Sequence, residues 1–192
     1  MAFDFELVKE SIKNILIGIG EDPNRSGLVE TPDRVARMYR EVFEGVQYTN
    51  DEIGKMFDKC FTDVDTEDLV VIGNIPVFSY CEHHMALMYN MKISVGYIPN
   101  GKIIGLSKVA RIADMVCKRL QVQERIGTDM CDILQKVLNT ENVMVVIEGE
   151  HSCMTARGIK KPGTITRTAS IRGCFKEDYN LREEFYSLIK EK

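Results

Sequence analysis

Leu7, Val8, Ile12, Ile15, Leu16 and Ile19 recur at three- and four-residue steps, which predicts an amphipathic helix over residues 5–19. A run of turn formers, Glu21-Asp22-Pro23-Asn24-Arg25-Ser26-Gly27, follows it. A second helix opens at Thr31-Pro32-Asp33-Arg34: Thr31 suits the N-cap, Pro32 the first helical position and Asp33 the positive end of the dipole. Val35, Met38, Tyr39, Val42 and Phe43 form its apolar face, Arg34 and Arg37 share another, and Gly45 ends it. Asn50 is expected to cap a short third helix running to about residue 59.

From Leu69 the period shortens. Residues 69–72 and 75–78 read as strand, broken at Gly73-Asn74, and residues 85–97 and 102–105 read as extended chain joined by a turn at Pro99-Asn100-Gly101. Two helices follow. Ser107 caps the first, with Val109, Ile112, Ala113, Val116 and Leu120 inward. The second covers about 122–138, with Ile126, Met130, Ile133, Leu134 and Val137 inward. A strand at 143–148 delivers His151 and Cys153, residues 164–171 alternate like a strand, and a last helix covers about 181–189. Antiparallel-looking strand pairs with a helix pair inserted between them argue an α+β class. The expectation is one domain over 1–192, with a helical part to about residue 60 and the main part over about 68–192.

Composition is that of an ordinary soluble protein, and a net charge of −4 gives no general nucleic-acid signature. The acidic N-terminus lacks the basic and apolar regions of a secretory signal, and no apolar run reaches membrane-spanning length. A cytoplasmic location is expected, where the six cysteines stay reduced and serve packing or metal binding.

All three histidines of the chain lie beside a cysteine, in Cys81-Glu82-His83-His84 and His151-Ser152-Cys153. Thiolate sulfur and imidazole nitrogen are zinc ligands, and a catalytic zinc takes three of them and keeps a fourth position open. Cys81 and His84, spaced C-x-x-H, can reach one metal, and Cys153 can be the third ligand. His83 and His151 are then left beside the metal for proton transfer. The competing readings are buried packing residues, or a structural zinc site whose fourth ligand is His83, His151 or a remote Cys.

Between Met154 and Lys176 there is no Asp or Glu, but there are six basic residues: Arg157, Lys160, Lys161, Arg167, Arg172 and Lys176. Such an island on an acidic chain suggests a small polyanion, against the alternatives of a solvated face or crossing salt bridges. Lys108 and Arg111 add charge near a helix N-terminus. In Gln121-Val122-Gln123-Glu124-Arg125, the Glu124 carboxylate could accept the two adjacent donors of guanine, or could merely answer the helix dipole.

Together these motifs resemble GTP cyclohydrolase I, from about Gly27 to the last helix. The resemblance rests on Thr31-Pro32-Asp33-Arg34-Val35-Ala36-Arg37-Met38-Tyr39, on Cys81-Glu82-His83-His84 and Tyr97-Ile98-Pro99, and on Gly105-Leu106-Ser107-Lys108 with Arg111-Ile112. It continues through Gln121-Val122-Gln123-Glu124-Arg125, His151-Ser152-Cys153 and Ala156-Arg157-Gly158.

The resemblance implies zinc on Cys81, His84 and Cys153, guanine recognition by Glu124 with Gln123, and acid–base roles for His83 and His151. It implies triphosphate contacts from Ser107, Lys108, Arg111 and Arg157, with Arg34 and Arg37 reaching in from a neighbouring subunit. The implied fold is the tunnelling fold, an antiparallel sheet with a helix pair on one face, assembled as a homo-decamer of two stacked pentamers. The implied reaction is hydrolysis of GTP at guanine C8, release of formate and ribose rearrangement to 7,8-dihydroneopterin triphosphate.

One departure stands out. Met85-Ala86-Leu87-Met88-Tyr89-Asn90 replaces the Pro-Phe and Gly that many members carry after the paired histidines, and the stretch to Tyr97 is one residue longer, which raises the expectation of a bulge. The short segment before the first helix is also expected to lack the regulatory extension of some members. A zinc nucleobase deaminase is disfavoured because H-x-E followed by P-C-x-x-C is absent. A zinc-stabilised nucleotide-binding module would leave the two spare histidines unexplained.

Overall fold

Residues 2–62 and 66–190 are described by a computed structural model. The chain runs α1 (Phe5–Gly18), α2 (Thr31–Val42), α3 (Asn50–Met56), β1 (Cys60–Phe61), β2 (Val70–Cys81), β3 (Ala86–Tyr97), β4 (Ile103–Ile104), α4 (Leu106–Cys117), β5 (Leu120–Gln121), α5 (Gln123–Leu138), β6 (Val143–His151), α6 (Ser152–Thr155), β7 (Ile165–Ile171) and α7 (Tyr179–Ile189). The main sheet has the order β5-β2-β3-β6-β7. Its four longer strands pair antiparallel, and only the two-residue β5 joins β2 in parallel. The architecture is thus mixed α/β with an antiparallel centre.

Residue parity explains the two-sided core. On β6, Val143, Val145 and Ile147 face the larger cluster, which α4 and α5 build with Val109, Ile112, Ile126 and Leu134. Met144 and Val146 face the other way, onto Phe175 and Phe185. A strand buried on both faces reads as a continuous apolar run, which is what Val143-Met144-Val145-Val146-Ile147 is. Gly127 lets α5 approach the sheet closely, since a Cβ there would lie 2.5 Å from Ser170 Oγ on β7.

Two bulges keep that parity. The expected break at Gly73-Asn74 is a bulge within one continuous strand: Ile72 pairs with Val95 and Ile75 with Ile93, and Asn74 takes φ +57°. The extra residue lets Val70 and Ile72, then Ile75, Val77 and Cys81, meet the same core. The second bulge falls on the lengthened segment. Tyr89 pairs with Glu150 and Lys92 with Glu148, Asn90 has φ +50°, and Met88 and Met91 both reach the core.

Several helix ends differ from the sequence reading. α2 begins at Thr31 itself, after Glu30, and a 3-10 turn at Glu44–Gln47 takes in Gly45. Thr49, not Asn50, caps α3, through a reciprocal capping box with Glu52, and that helix stops at Met56. Gly105 precedes α4, so Ser107 lies inside its first turn rather than at its cap. Leu120 leaves the helix for β5, and β4 pairs with β1 rather than continuing the β3 hairpin.

α1 buries no residue; Leu7, Ile15 and Ile19 are each more than half exposed. Among the described residues no helix is long and apolar enough to cross a membrane.

Candidate active site

The central strand β3 brings the two chemical clusters together. On one side Cys81, the last residue of β2, pairs with Ala86, and the four residues between them form the loop that carries His83 and His84. On the other side His151, the last residue of β6, pairs with Met88 and turns directly into α6 with Cys153. Ser152 Oγ donates to the Leu87 carbonyl at 2.7 Å, which ties α6 to β3.

Cys81 is buried and Cys153 half-buried. The Cys153 thiol is pushed up first by burial and then by the neighbouring Cys81 thiol, with which it shares a hydrogen bond. His83 Nδ1 lies 3.6 Å from Cys81 Sγ. His84 has a different partner: Arg157 Nη1 donates to its Nε2 at 2.8 Å. Among the described residues no group of three or more His, Cys, Asp or Glu side chains closes into a metal-holding set. The donors themselves suit zinc: two thiols in contact and, one loop away, an imidazole with an Nε2 lone pair.

His151 is half-buried, and its Nε2 sits 2.9 Å from Gln123 Oε1. Burial pushes its pKa down, and the Glu124 carboxylate, close enough to act through space, opposes that. Glu124 is exposed in the first turn of α5, and among the described residues its carboxylate has no hydrogen-bond or ion-pair partner. Gln123 is bonded within the protein. Its side chain is 1% exposed, and its Nε2 donates to Ile147 O, Thr166 O and Thr168 Oγ1 at 3.1–3.2 Å. The amide nitrogen of Gln123 is thus engaged by the sheet.

Sequence reasoning missed two supports of this cluster. Arg125 forks onto Glu82 at 2.6 and 3.1 Å and holds its carboxyl below the ordinary range, fixing the loop that bears the histidines. Tyr89 Oη lies within hydrogen-bond reach of Glu150 Oε2 at 3.3 Å and Thr155 Oγ1 at 3.0 Å, and Asn90 donates to Glu150 Oε1 at 2.9 Å, so the β3 bulge buttresses the α6 turn. Arg125 stands in a motif singled out above, but its partner is remote in sequence. The bulge network depends on a register no local pattern reveals.

Other candidate residues lie elsewhere in the chain. The C-terminal end of α4 is near Cys81, since Ser79 Oγ donates to Cys117 O at 2.7 Å and β5 pairs with Tyr80 and Cys81. Its N-terminal end is fixed at the far end of the sheet: Ile104 N–H donates to Tyr97 Oη, and Tyr97 pairs with Val70. Ser107 is therefore about 15 Å along the helix from the Cys117 end. Among the described residues no hydrogen bond or ion pair links Ser107, Lys108 or Arg111 to the cluster of Cys81 and Cys153. Among the described residues neither Lys108 nor Arg111 enters an ion pair.

Arg34 and Arg37 are exposed on α2, paired with Glu30 and with Asp33 (2.6 Å). In the basic island, Arg167 and Arg172 pair with Glu148 and Asp132, as crossing salt bridges would. Arg157 hydrogen-bonds to His84 of the candidate site.

Known proteins resemble this chain over most of its length. The GTP cyclohydrolase I family model matches residues 8–190. GTP cyclohydrolase 1 of Ruminiclostridium cellulolyticum is 56% identical over 195 residues, covering 99% of this chain and 100% of that protein. The enzyme of the same name from Clostridium botulinum strain Kyoto is 58% identical over 183 residues, 93% of each chain. That from Clostridium acetobutylicum is 50% identical over 194 residues, covering 99% of this chain and 100% of its own. With both cysteine–histidine clusters converging and the whole length matched, this chain belongs to the GTP cyclohydrolase I family.

Proposed function

We propose that the protein hydrolyses GTP at guanine C8, releases formate and rearranges the ribose to give 7,8-dihydroneopterin triphosphate, the first step of tetrahydrofolate and pterin biosynthesis. The observation that carries this reading is the meeting of the Cys81–His84 loop with the His151–Cys153 turn across β3, in a chain of this family.

Zinc is the proposed cofactor, held by Cys81, His84 and Cys153, with His84 exchanging its bond to Arg157 for the metal. Zinc so bound supplies Lewis acidity, which lowers the pKa of a water toward ~7. Glu124, unpartnered and exposed at the mouth of the cluster, accepts the N1–H and 2-amino donors of guanine. His151 is the proton donor to N7 as the ring opens, and His83 moves protons in the later steps. Arg157, once free of His84, is available to a phosphate oxygen.

The phosphates also require Ser107, Lys108 and Arg111, and these belong to another copy. The length of α4 between Ser107 and Cys117 supports a site completed by a neighbouring subunit. Arg34 and Arg37 are assigned to a neighbour's site on the same reasoning. We infer a homo-oligomer, a decamer of two pentamers in the tunnelling fold. All six cysteines are free thiols, which accords with the proposed cytoplasmic location. Incubation of the zinc-loaded protein with GTP should yield formate and, after oxidation, a fluorescent pterin. Release of neither would overturn the reading.

A further inference from the structure

Gln123 is the best-satisfied polar side chain near the cluster, and its orientation is not free. Two of the three acceptors facing its Nε2, Ile147 O and Thr166 O, are backbone carbonyls, which can only accept. The amide nitrogen must therefore point at them, and the amide oxygen must point at His151. An oxygen 2.9 Å from a ring nitrogen requires a proton on that nitrogen.

We propose that Gln123 is a positioning residue that holds the His151 ring in the Nε2–H form, which leaves Nδ1 as its bare nitrogen. The role assigned to this side chain thus moves from reading guanine to orienting the imidazole that serves the reaction. The assignment rests on the GTP reading above for its catalytic consequence, but not for the tautomer itself.

The surroundings fit such a lock. The Gln123 side chain is buried against β6 and β7, and its contacts come from Ile147, Thr166 and Thr168 on both strands. His151 ends β6, four residues beyond Ile147 on the same face. The same amide that joins α5 to the sheet therefore fixes the ring at the site.

The test uses the zinc-loaded wild-type protein labelled with 15N-histidine. With three histidines there are six ring nitrogens, and the His151 pair is identified by its loss in His151→Asn. Solid-state 15N NMR with the imidazoles neutral should show His151 Nε2 protonated and Nδ1 bare. The reverse pattern would overturn the proposal, whether or not GTP is turned over. In Gln123→Met, kcat for GTP should fall about 100-fold while KM moves less than about threefold, because proton transfer is lost and base reading is not. A KM that rises in step with a lost preference for GTP over ATP would return Gln123 to guanine recognition and overturn the proposal. If the variant does not fold, the wild-type spectrum alone decides. A wild type inert toward GTP would sink the functional reading and leave the tautomer to the spectrum.

Discussion

Arg157 donates from Nη1 to Nε2 of His84 at 2.8 Å, so the imidazole lone pair that a metal would take is held by a guanidinium. In the function proposed above, zinc takes that lone pair and Arg157 is released toward substrate. Zinc content should therefore fall from about one per chain to near zero in Cys81→Ala, His84→Ala and Cys153→Ala. It should survive in Arg157→Ala, His83→Ala and His151→Ala, where turnover is lost instead. Metal analysis of the purified variants decides it: full zinc in Cys153→Ala removes that residue from the ligand set, and an empty site in His151→Ala adds one.

The position of Ser107 and Lys108 at the far end of α4 makes subunit complementation a direct test. Lys108→Ala and His151→Ala should each be inactive alone. Co-assembled in equal amounts, they should recover about a quarter of wild-type activity, since sites that draw an intact His151 from one variant and an intact Lys108 from the other form by chance at that rate. No recovery in mixed oligomers, or a fully active monomer by light scattering, would place the whole site in one chain.

Base selectivity should rest on Glu124. Guanine offers N1–H and a 2-amino group, whereas adenine sets an acceptor lone pair against the carboxylate and has no 2-amino group. Sites built on such hydrogen bonds reject an analogue lacking them by ~10⁴ or more. In a His151→Ala background, competition binding should rank GTP first, inosine triphosphate next and ATP last. The gaps should collapse in Glu124→Ala. An unchanged preference there would mean that Glu124 only decorates a helix start.

Alkaline pH should destabilise the metal-free protein. Burial pushes the Cys131 thiol up from 9.0 to about 12, and Cys117 is also raised by burial. Between those values the unfolded chain has released protons that the folded chain still holds, so stability is intact below about pH 9 and falls as pH rises above it. Denaturation midpoints measured across that window should slope downward, and the slope should flatten in Cys131→Ala even though the variant is less stable overall. An unchanged slope would show that Cys131 does not titrate with unfolding.

The β3 bulge should be specific to Asn90, which sits at φ +50°. A β-branched residue there meets the left-handed penalty of about 1–2 kcal/mol, so Asn90→Val should lose at least that much by chemical denaturation. Asn90→Gly should lose less than about 1 kcal/mol, because glycine adopts that conformation freely and the bond to Glu150 is exposed. Equal losses would mean that the side chain, not the backbone, holds the bulge.

Much of this protein is local chemistry and was legible as such. The apolar spacing of Ile126, Met130, Ile133, Leu134 and Val137 determined α5, and all five are buried. The clustering of every histidine beside a cysteine marked out the candidate site before any fold was known. Helix ends were less legible: Thr49 and Gly105, not Asn50 and Ser107, precede α3 and α4, since a cap depends on which neighbouring amide the side chain meets.

What only the tertiary structure decided is pairing between distant segments. The insertion in β3 could be seen as one residue too many, but the sheet had to assign it to Asn90, because a one-residue slip elsewhere would turn Met88 or Met91 out of the core. Glu82 found Arg125, and Gln123 found His151, across contacts with no sequence period. The physical reason is that periodicity reports which face of an element is buried. Which polar atoms then meet on that face depends on strand order, register and helix approach, and these are fixed only when the whole core packs.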